Sequence, residues 1–354
     1  MDSDVEITGT AQREAWLDRR LPPVEQLRAD LWSVPVPIPN NPLRYTTAYV
    51  FALDGGGLGL VDTGWDSDDS WQILRDALTG IGASPADIRG VLVTHLHPDH
   101  NGLSGRVREA SGAWIAMHEA DAKALADPVA RDVHEFVDAQ IRFLVSLGAD
   151  ADVATDDVGS PERIRAALQN ALPDRYLADG ELADFPGWSL RAVHTPGHTP
   201  GHLCFAEERT GLFLSGDHVL PRITPNVSSN VRGTPDPLRE YLDSLALVGG
   251  HDEPVEVLPA HEWRFRGLGL RVRELTDHHE HRLAELLAAI RAHPGSTPWD
   301  LAGHLTWSRP WESYTRQVRI FAVTETDAHV RLLASRGLVV GSGGAVPTWT
   351  AAQR

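Results

Sequence analysis

The chain has 354 residues, 42% of them hydrophobic and 23% charged, with a formal charge of −17 and one cysteine. That length calls for one large domain plus a smaller one, and the acidic balance argues against a nucleic-acid binder, which needs a basic surface. No apolar run approaches the roughly 20 residues that span a bilayer, the N-terminus lacks a secretory pattern, and lone Cys204 excludes an internal disulfide framework, so the expected compartment is the cytoplasm.

In chain order, β-rich runs come first: DLWSVPVPI (30–38), YTTAYVFAL (45–53), LGLVDTG (58–64) and IRGVLVT (88–94), punctuated by Gly and Asp. A helix is predicted over 69–80, where Trp71, Leu74, Ala77 and Leu78 share a face. Another is expected after Asn101, placed near its N-cap, and WIAMH (114–118) reads as a strand. Residues 119–175 carry Phe136, Ile141, Leu144, Val145, Ile164, Ala167 and Leu168 at helical spacing, without a strand pattern. They form a predicted helical insertion, suited to serve as a lid or as the contact of a homodimer. Strands resume at WSLRAVHT (188–195), HLCFAE (202–207), LFLSGD (212–217) and VEVLPAH (255–261), with a helix over 237–248 between the last two. The order is that of a layered α/β domain.

A second predicted domain, 269–354, follows the first, 1–268. It opens on an amphipathic helix (273–293), restarts at the Ser-Thr-Pro of 296–298, and carries a further helix across 315–336. A hairpin of 338–340 with 347–350 closes it. Three helices and a two-stranded wing are the order of a winged helix. Residues 271–354 hold ten Arg against eight Asp or Glu, so about −19 falls on residues 1–270. The tail is nearly neutral, which suits it poorly to duplex binding.

The chemistry concentrates at strand ends. VLVTHLHPDHNG (91–102) places His95, His97, Asp99 and His100 at the C-terminal edge of a strand, where α/β proteins build sites. Pro98 favours a turn there. RAVHTPGHTPGH offers His198 on a Gly/Pro turn, LFLSGDH offers Asp217, and VEVLPAH offers His261. Four such ends converging on one edge bring together five histidines and two aspartates, a set suited to two Zn²⁺ ions with mixed N/O ligation and room for a water.

THLHPDH, TPGHTPGH, SGD and PAH, in this order, resemble the metallo-β-lactamase-fold hydrolases, especially the glyoxalase II-like branch. The resemblance covers about residues 30–265, and members with an appended winged helix resemble the whole chain. It implies a four-layer αββα sandwich with the helical insertion and a small C-terminal domain. It implies that His95, His97 and His198 hold one metal, that Asp99, His100 and His261 hold the other, and that Asp217 bridges them. Asp62, in VDTG, matches the family's Asp behind the ligands, which orients a histidine. A water bridging two divalent ions loses its proton near neutral pH and yields a hydroxide nucleophile. Asp99 is the candidate catalytic residue, a ligand close to that water. His202 and His118 match positions that are structural in such folds.

The expected reaction is hydrolysis of a small-molecule acyl substrate, a thioester first, then a lactone or other ester. Zn²⁺ is the default metal, with Fe or Mn suited to the same donors. His218, Arg222, Asn226 and Arg266 are candidate substrate contacts. Two alternatives stay open: an RNA substrate, against which the −19 stands, and a metal-holding regulatory module without catalysis.

Overall fold

The computed structural model describes residues 3–127, 132–156, 170–231, 233–251 and 254–353. An edge strand β1 (Glu6–Ile7) and helix α1 (Thr10–Leu17) precede β2 (Glu25–Arg28), β3 (Leu31–Pro37), β4 (Tyr45–Ala52) and β5 (Leu58–Val61). Next come α2 (Asp68–Gly80), β6 (Ile88–Leu92), α3 (Pro98–Asn101), α4 (Ser104–Ser111) and β7 (Trp114–Met117). The insertion supplies α5 (Glu119–Ala126), α6 (Val133–Ser146) and α7 (Ala151–Asp156), and ends on β8 (Arg175–Tyr176). The second half carries β9 (Leu190–His194), β10 (Leu203–Glu207), β11 (Leu212–Gly216), α8 (Pro237–Gly249), β12 (Glu256–Pro259) and β13 (Phe265–Arg266). Helices α9 (Leu268–Ala292), α10 (Pro298–Ala302) and α11 (Arg316–Ser335) and the hairpin β14 (Val339–Gly341)–β15 (Trp349–Ala351) complete the chain.

Besides the β14–β15 hairpin, the described residues form two large sheets, in the orders β2-β3-β4-β5-β6-β7-β8 and β1-β13-β12-β11-β10-β9. Their inner faces meet in one core, where Tyr49, Phe51, Val61 and Leu92 face Phe185, Leu203, Phe205, Leu214 and Leu258. Strands β5 and β6 are buried on both faces except at Arg89, as parallel strands under helices must be. Their outer side is covered by Leu74 and Leu78 of α2, Val107 of α4 and Leu125 of α5. The outer side of the other sheet, with Val193, Phe213 and Val257, packs on Leu238 and Leu245 of α8 and on Val272 and Leu275 of α9. The layers are helix, sheet, sheet, helix. Each Leu or Phe withdrawn from water in this way contributes roughly 1.5–3 kcal/mol.

The core of the second sheet does not stop at residue 268. Leu283, Leu286, Leu332 and Leu333 of α9 and α11 belong to the same buried cluster as Phe213 and Val257. The insertion packs on the C-terminal helices too: Leu147 and Phe143 meet Trp299, Trp307 and Trp311, and Trp299 N–H donates to Leu147 O at 3.0 Å.

Strands β5, β6, β7 and β8 run parallel, as do β11 and β12. Their C-terminal ends lie at one edge of the sandwich. Hydrogen bonds between the sheets tie that edge: Tyr49 Oη to Pro259 O at 2.8 Å, and Thr47 N to Ala260 O and Leu203 N to Thr94 O at 2.7 Å each.

Two local expectations change. The insertion region ends in β8, which extends the first sheet; two exposed residues pairing through the backbone leave no side-chain pattern. In the other sheet β1 and β13 are likewise two residues each, too short to carry a period, although Phe265 is buried. Asn101 is not an N-cap: Pro98 starts α3, His97 precedes it, and Asn101 ends it. Of the insertion's predicted apolar positions, Ile164, Ala167 and Leu168 lie outside the described residues.

Candidate metal centre

Each donor is delivered by a strand that stops and a turn that follows. After β6, Pro98 at the first helical position fits its fixed φ and missing N–H, and the single turn of α3 brings Asp99 and His100 back toward His95 and His97. After β9, the turn passes through Gly197 at φ +129°, where a Cβ would lie 2.4 Å from Tyr241 Cβ. Only glycine lets His198 approach there. Asp217 follows Gly216 (φ +51°) at the end of β11, and His261 follows β12.

The seven donors converge in two linked groups. His95 Nε2, His97 Nδ1 and His198 Nε2 lie 3.0, 3.1 and 3.3 Å from one another. Atoms at Zn–N distances of about 2.0–2.1 Å and tetrahedral angles stand about 3.3–3.4 Å apart, so these three nitrogens fit around one ion. His261 Nε2 lies 3.4 Å from Asp99 Oδ2 and 3.3 Å from Asp217 Oδ1. His100 Nε2 is 3.6 Å from each of the same two oxygens. Asp217 Oδ2 turns the other way and lies 3.6 Å from His198 Nε2, so this carboxylate faces both groups. His100 Nε2, His261 Nε2 and Asp217 Oδ1 are buried and make no hydrogen bond of accepted geometry. Buried orphans of this kind call for a partner, and the donor chemistry fits divalent metal.

At His95, His100, His198 and His261 the other ring nitrogen is occupied in a way that sets the tautomer. His198 Nδ1–H donates to Asn226 O at 2.7 Å, and His261 Nδ1–H to Tyr45 O at 2.9 Å. His100 Nδ1–H donates to Asp62 Oδ2 at 2.8 Å. Asp62 also accepts from Thr94 N at 2.8 Å and from Thr94 Oγ1 at 2.9 Å. With its hydroxyl proton committed to Asp62, Thr94 Oγ1 accepts from His95 Nδ1 at 3.0 Å. Asp62 therefore orders His100 directly and His95 through Thr94. It sits at φ +57°, a conformation Asp tolerates better than most residues.

The two groups differ electrostatically. Burial, and then its histidine neighbours, push His97 down to about 3. Burial also lowers His95 and His198, so this group offers neutral nitrogens with free lone pairs. At the other group burial opposes charge on His100, but Asp99, Asp62 and Asp217 outweigh it and push His100 up to about 9. Asp217 and Asp99 likewise raise His261 against its burial. Burial alone would raise Asp99, yet His100 and His261 hold it well below the usual carboxylate range. Protons occupy here the place that a metal cation would take.

A cavity of about 300 Å³ opens on His97 and His198. Leu96, Pro98, Leu125 and Pro200 form its floor. Gln140, Phe143 and Leu144 of α6 wall one side, and Ile320, Phe321 and Thr324 of α11 another. Asn226, Ser228, Ser229 and Asn230 supply polar groups. The insertion and the C-terminal helices thus both line the cavity beside His97 and His198.

The sequence-predicted substrate contacts fare unevenly. Asn226 lines this cavity, and its backbone carbonyl holds His198. Arg222 is committed to Glu262, whose carboxylate is buried. His218 does not face open space: it is fully buried, its ring 5.1 Å from that of Tyr241 under α8. Alternation along the chain turns it to the outer side of the sheet when Asp217 faces the metals. Arg266 lies at the opposite end of β12, with Glu6 and Val255 O as partners, and is no part of the centre. His202 and His118 have the structural places expected: His202 Nε2 accepts from Asp217 N at 3.1 Å, and His118 caps α5.

Two ordering residues escaped the sequence reading. Buried Asp121 accepts from Leu96 N at 2.8 Å, Thr199 Oγ1 at 2.8 Å and Gly201 N at 2.6 Å, and so joins the two histidine loops. Its place in the first turn of a helix made it look like an ordinary acidic N-terminal residue. Arg271 donates to three carbonyls of the loop after Asp217.

Residues 41–261 match the model of the metallo-beta-lactamase superfamily. Among curated proteins, the probable metallo-hydrolase YqjP of Bacillus subtilis is 25% identical over 65% of this chain and 74% of its own length. The atrochrysone carboxyl ACP thioesterase of Passalora fulva is 25% identical over 90% of this chain and 80% of its own. Among solved structures, a metallo-beta-lactamase family protein of Thermus thermophilus superposes with a TM-score of 0.77 at 29% identity, covering 92% of this chain and all of its own. A beta-lactamase domain protein of Burkholderia ambifaria, 24% identical, shares the fold over 98% of both chains with a TM-score of 0.79. With the matched span running from the turn before β4 to His261 and holding all seven donors, the chain belongs to the metallo-beta-lactamase superfamily.

Proposed function

We propose that the protein is a hydrolase with two divalent ions, zinc by default and iron or manganese as alternatives, that cleaves the ester or thioester bond of a small acyl compound. The observation that carries this reading is the cavity of about 300 Å³ opening directly on His97 and His198, apolar over most of its wall. Its size lies at the small end of ligand sites, and its walls from α6 and α11 favour a compact acyl group over a polymer. A thioester comes before a lactone or other ester because two relatives, at 25% and 27% identity, are named thioesterases.

In this reading His95, His97 and His198 would hold one ion and Asp99, His100 and His261 the other, with Asp217 lying between the two groups. When bound, such ions acidify water and polarise a carbonyl. The chain's own groups do the rest. Asp62, Asn226 O and Tyr45 O keep His100, His198 and His261 in the tautomer whose free lone pair faces the centre. Asp99, ionised and steadied by Thr46 Oγ1 at 3.3 Å, orients the attacking water or accepts its proton. Leu96, Phe143 and Phe321 exclude bulk water from the acyl group.

The test is a panel of thioesters, lactones, simple esters and phosphodiesters, assayed with metal analysis of the same sample. Turnover of an acyl member, lost on chelation and regained with Zn²⁺, is expected, and Asp99→Asn lowers kcat by about 10²–10⁴-fold. Acyl turnover that persists after chelation and in Asp99→Asn refutes the reading.

A further inference from the structure

The loop that follows Asp217 reaches His198, and it is held by residues beyond the span that matches the family. At its start, Arg271 of α9 donates from Nε to Leu220 O at 2.7 Å and from Nη2 to Arg222 O and Ile223 O at 2.9 Å each. The Arg271 side chain is only 6% exposed, and its Nη1 is paired with Glu274 at 2.8 Å. At the loop's end, Ser229 N–H and Oγ–H both donate to Thr324 O of α11 at 3.1 Å. Between these anchors lies Asn226, whose carbonyl accepts the Nδ1 proton of His198. Nearby Val227 is fully buried against the core of the second sheet. The matched span ends at residue 261, so both anchors belong to the C-terminal helices.

We infer that the C-terminal helical unit is a working part of the metal centre: through Arg271 and Thr324 it clamps the loop 220–230, and so fixes Asn226 O against His198. Arg271 is a positioning residue, two steps from the ligand. A backbone carbonyl held in place costs nothing to reorganise when metal arrives, whereas a wandering loop lets His198 rotate or change tautomer. Loss of an outer partner of a metal-bound histidine typically costs 10–100-fold in affinity. A clamp acting through the backbone should show the lower end of that range, and only at the ion that His198 helps to hold.

The inference rests on the two-ion reading, and the experiment separates the two. The metal-free full-length chain, its Arg271→Lys and Arg271→Ala variants, and Ser229→Ala are titrated with Co²⁺ by calorimetry and visible absorbance, with thermal melts alongside. Wild type is expected to take up two equivalents in separable steps. Arg271→Ala weakens one step roughly tenfold and alters its visible spectrum, while the other step is retained, and Arg271→Lys recovers part of the loss. If Arg271→Ala does not fold, Ser229→Ala carries the test, because it removes one of two bonds to Thr324 O and shifts the same step a few-fold. Unchanged steps in the folded variants, or both steps weakened in parallel, overturn the inference. A wild type that binds no Co²⁺ overturns the two-ion reading, and the inference with it.

Discussion

Replacing Asp62 with Asn isolates a single contact of the metal centre. Oδ1 accepts from Thr94 N at 2.8 Å, and Oδ2 faces His100 Nδ1 at 2.8 Å. An amide with its oxygen toward Thr94 keeps the first bond and sets an NH₂ group against His100 Nδ1–H. Two donors then meet, so His100 must move its proton to Nε2, the atom that faces Asp99 and Asp217. Asn tolerates the positive φ of 57°, which leaves the backbone out of the comparison. The expected cost is 10–100-fold in affinity for one ion, or about 1.4–2.7 kcal/mol, read by competition with a chromophoric chelator. A second signature appears in the metal-free protein. His100 rises from 6.5 to about 9, worth about 3 kcal/mol of net stabilisation, and Asp62 is one of the three carboxylates that raise it, after Asp99. A raised histidine stabilises fully below the unfolded value, near 6.5, and the contribution disappears as pH rises through about 9. Denaturant melts of metal-free Asp62→Asn should therefore show a deficit at pH 6 that shrinks by pH 9.5. Equal metal affinity in variant and wild type, together with a deficit independent of pH, would refute the reasoning.

Metal loading near pH 7 should release at least one proton, because His100 is charged there without metal, and the His100 share of that release should fade above about pH 9; calorimetry in buffers of different ionisation enthalpy measures it. Asp121→Ala leaves the buried donors Leu96 N, Thr199 Oγ1 and Gly201 N without their acceptor, for a loss of about 3 kcal/mol in urea unfolding; a loss under 0.5 kcal/mol would deny Asp121 its ordering role. Phe321, half-exposed at 51% on α11, should matter for substrate rather than stability. Phe321→Ala is expected to raise KM for longer or aromatic acyl groups several-fold more than for acetyl, with Tm little changed, and a uniform effect across the acyl series would remove α11 from the acyl wall.

The layered fold was legible where apolar side chains recur: the β-rich run YTTAYVFAL, the run IRGVL with only Arg89 exposed, and the shared face of Leu74, Ala77 and Leu78 each became the expected element. Elements made by the backbone alone were not. Strands β1, β8 and β13 are two residues each and carry no period to read. The same division runs through the site. Imidazoles and carboxylates placed where strands stop are conspicuous, because few folds have another use for so many of them at strand ends. Asp62 was legible only through the match of VDTG to the family's motif, since an Asp before a turn glycine is otherwise unremarkable. His218 and Arg266 passed as substrate contacts because sequence distance from Asp217 and His261 says nothing of facing. Burial under Tyr241 and pairing with Glu6 decided their places.

The sequence by itself determined the donor set and the reaction class it suits, since metal ligation demands particular side-chain atoms, and those are written in the residue types. Tertiary structure alone decided which walls enclose the cavity and what holds His198 in place. Those tasks fall to Phe143 and Phe321, brought together from distant segments, and to the carbonyls of Leu220, Arg222, Ile223, Asn226 and Thr324. Every residue carries a carbonyl, so no pattern of side chains marks the ones that do this work; only the packing of α9 and α11 against the loop selects them.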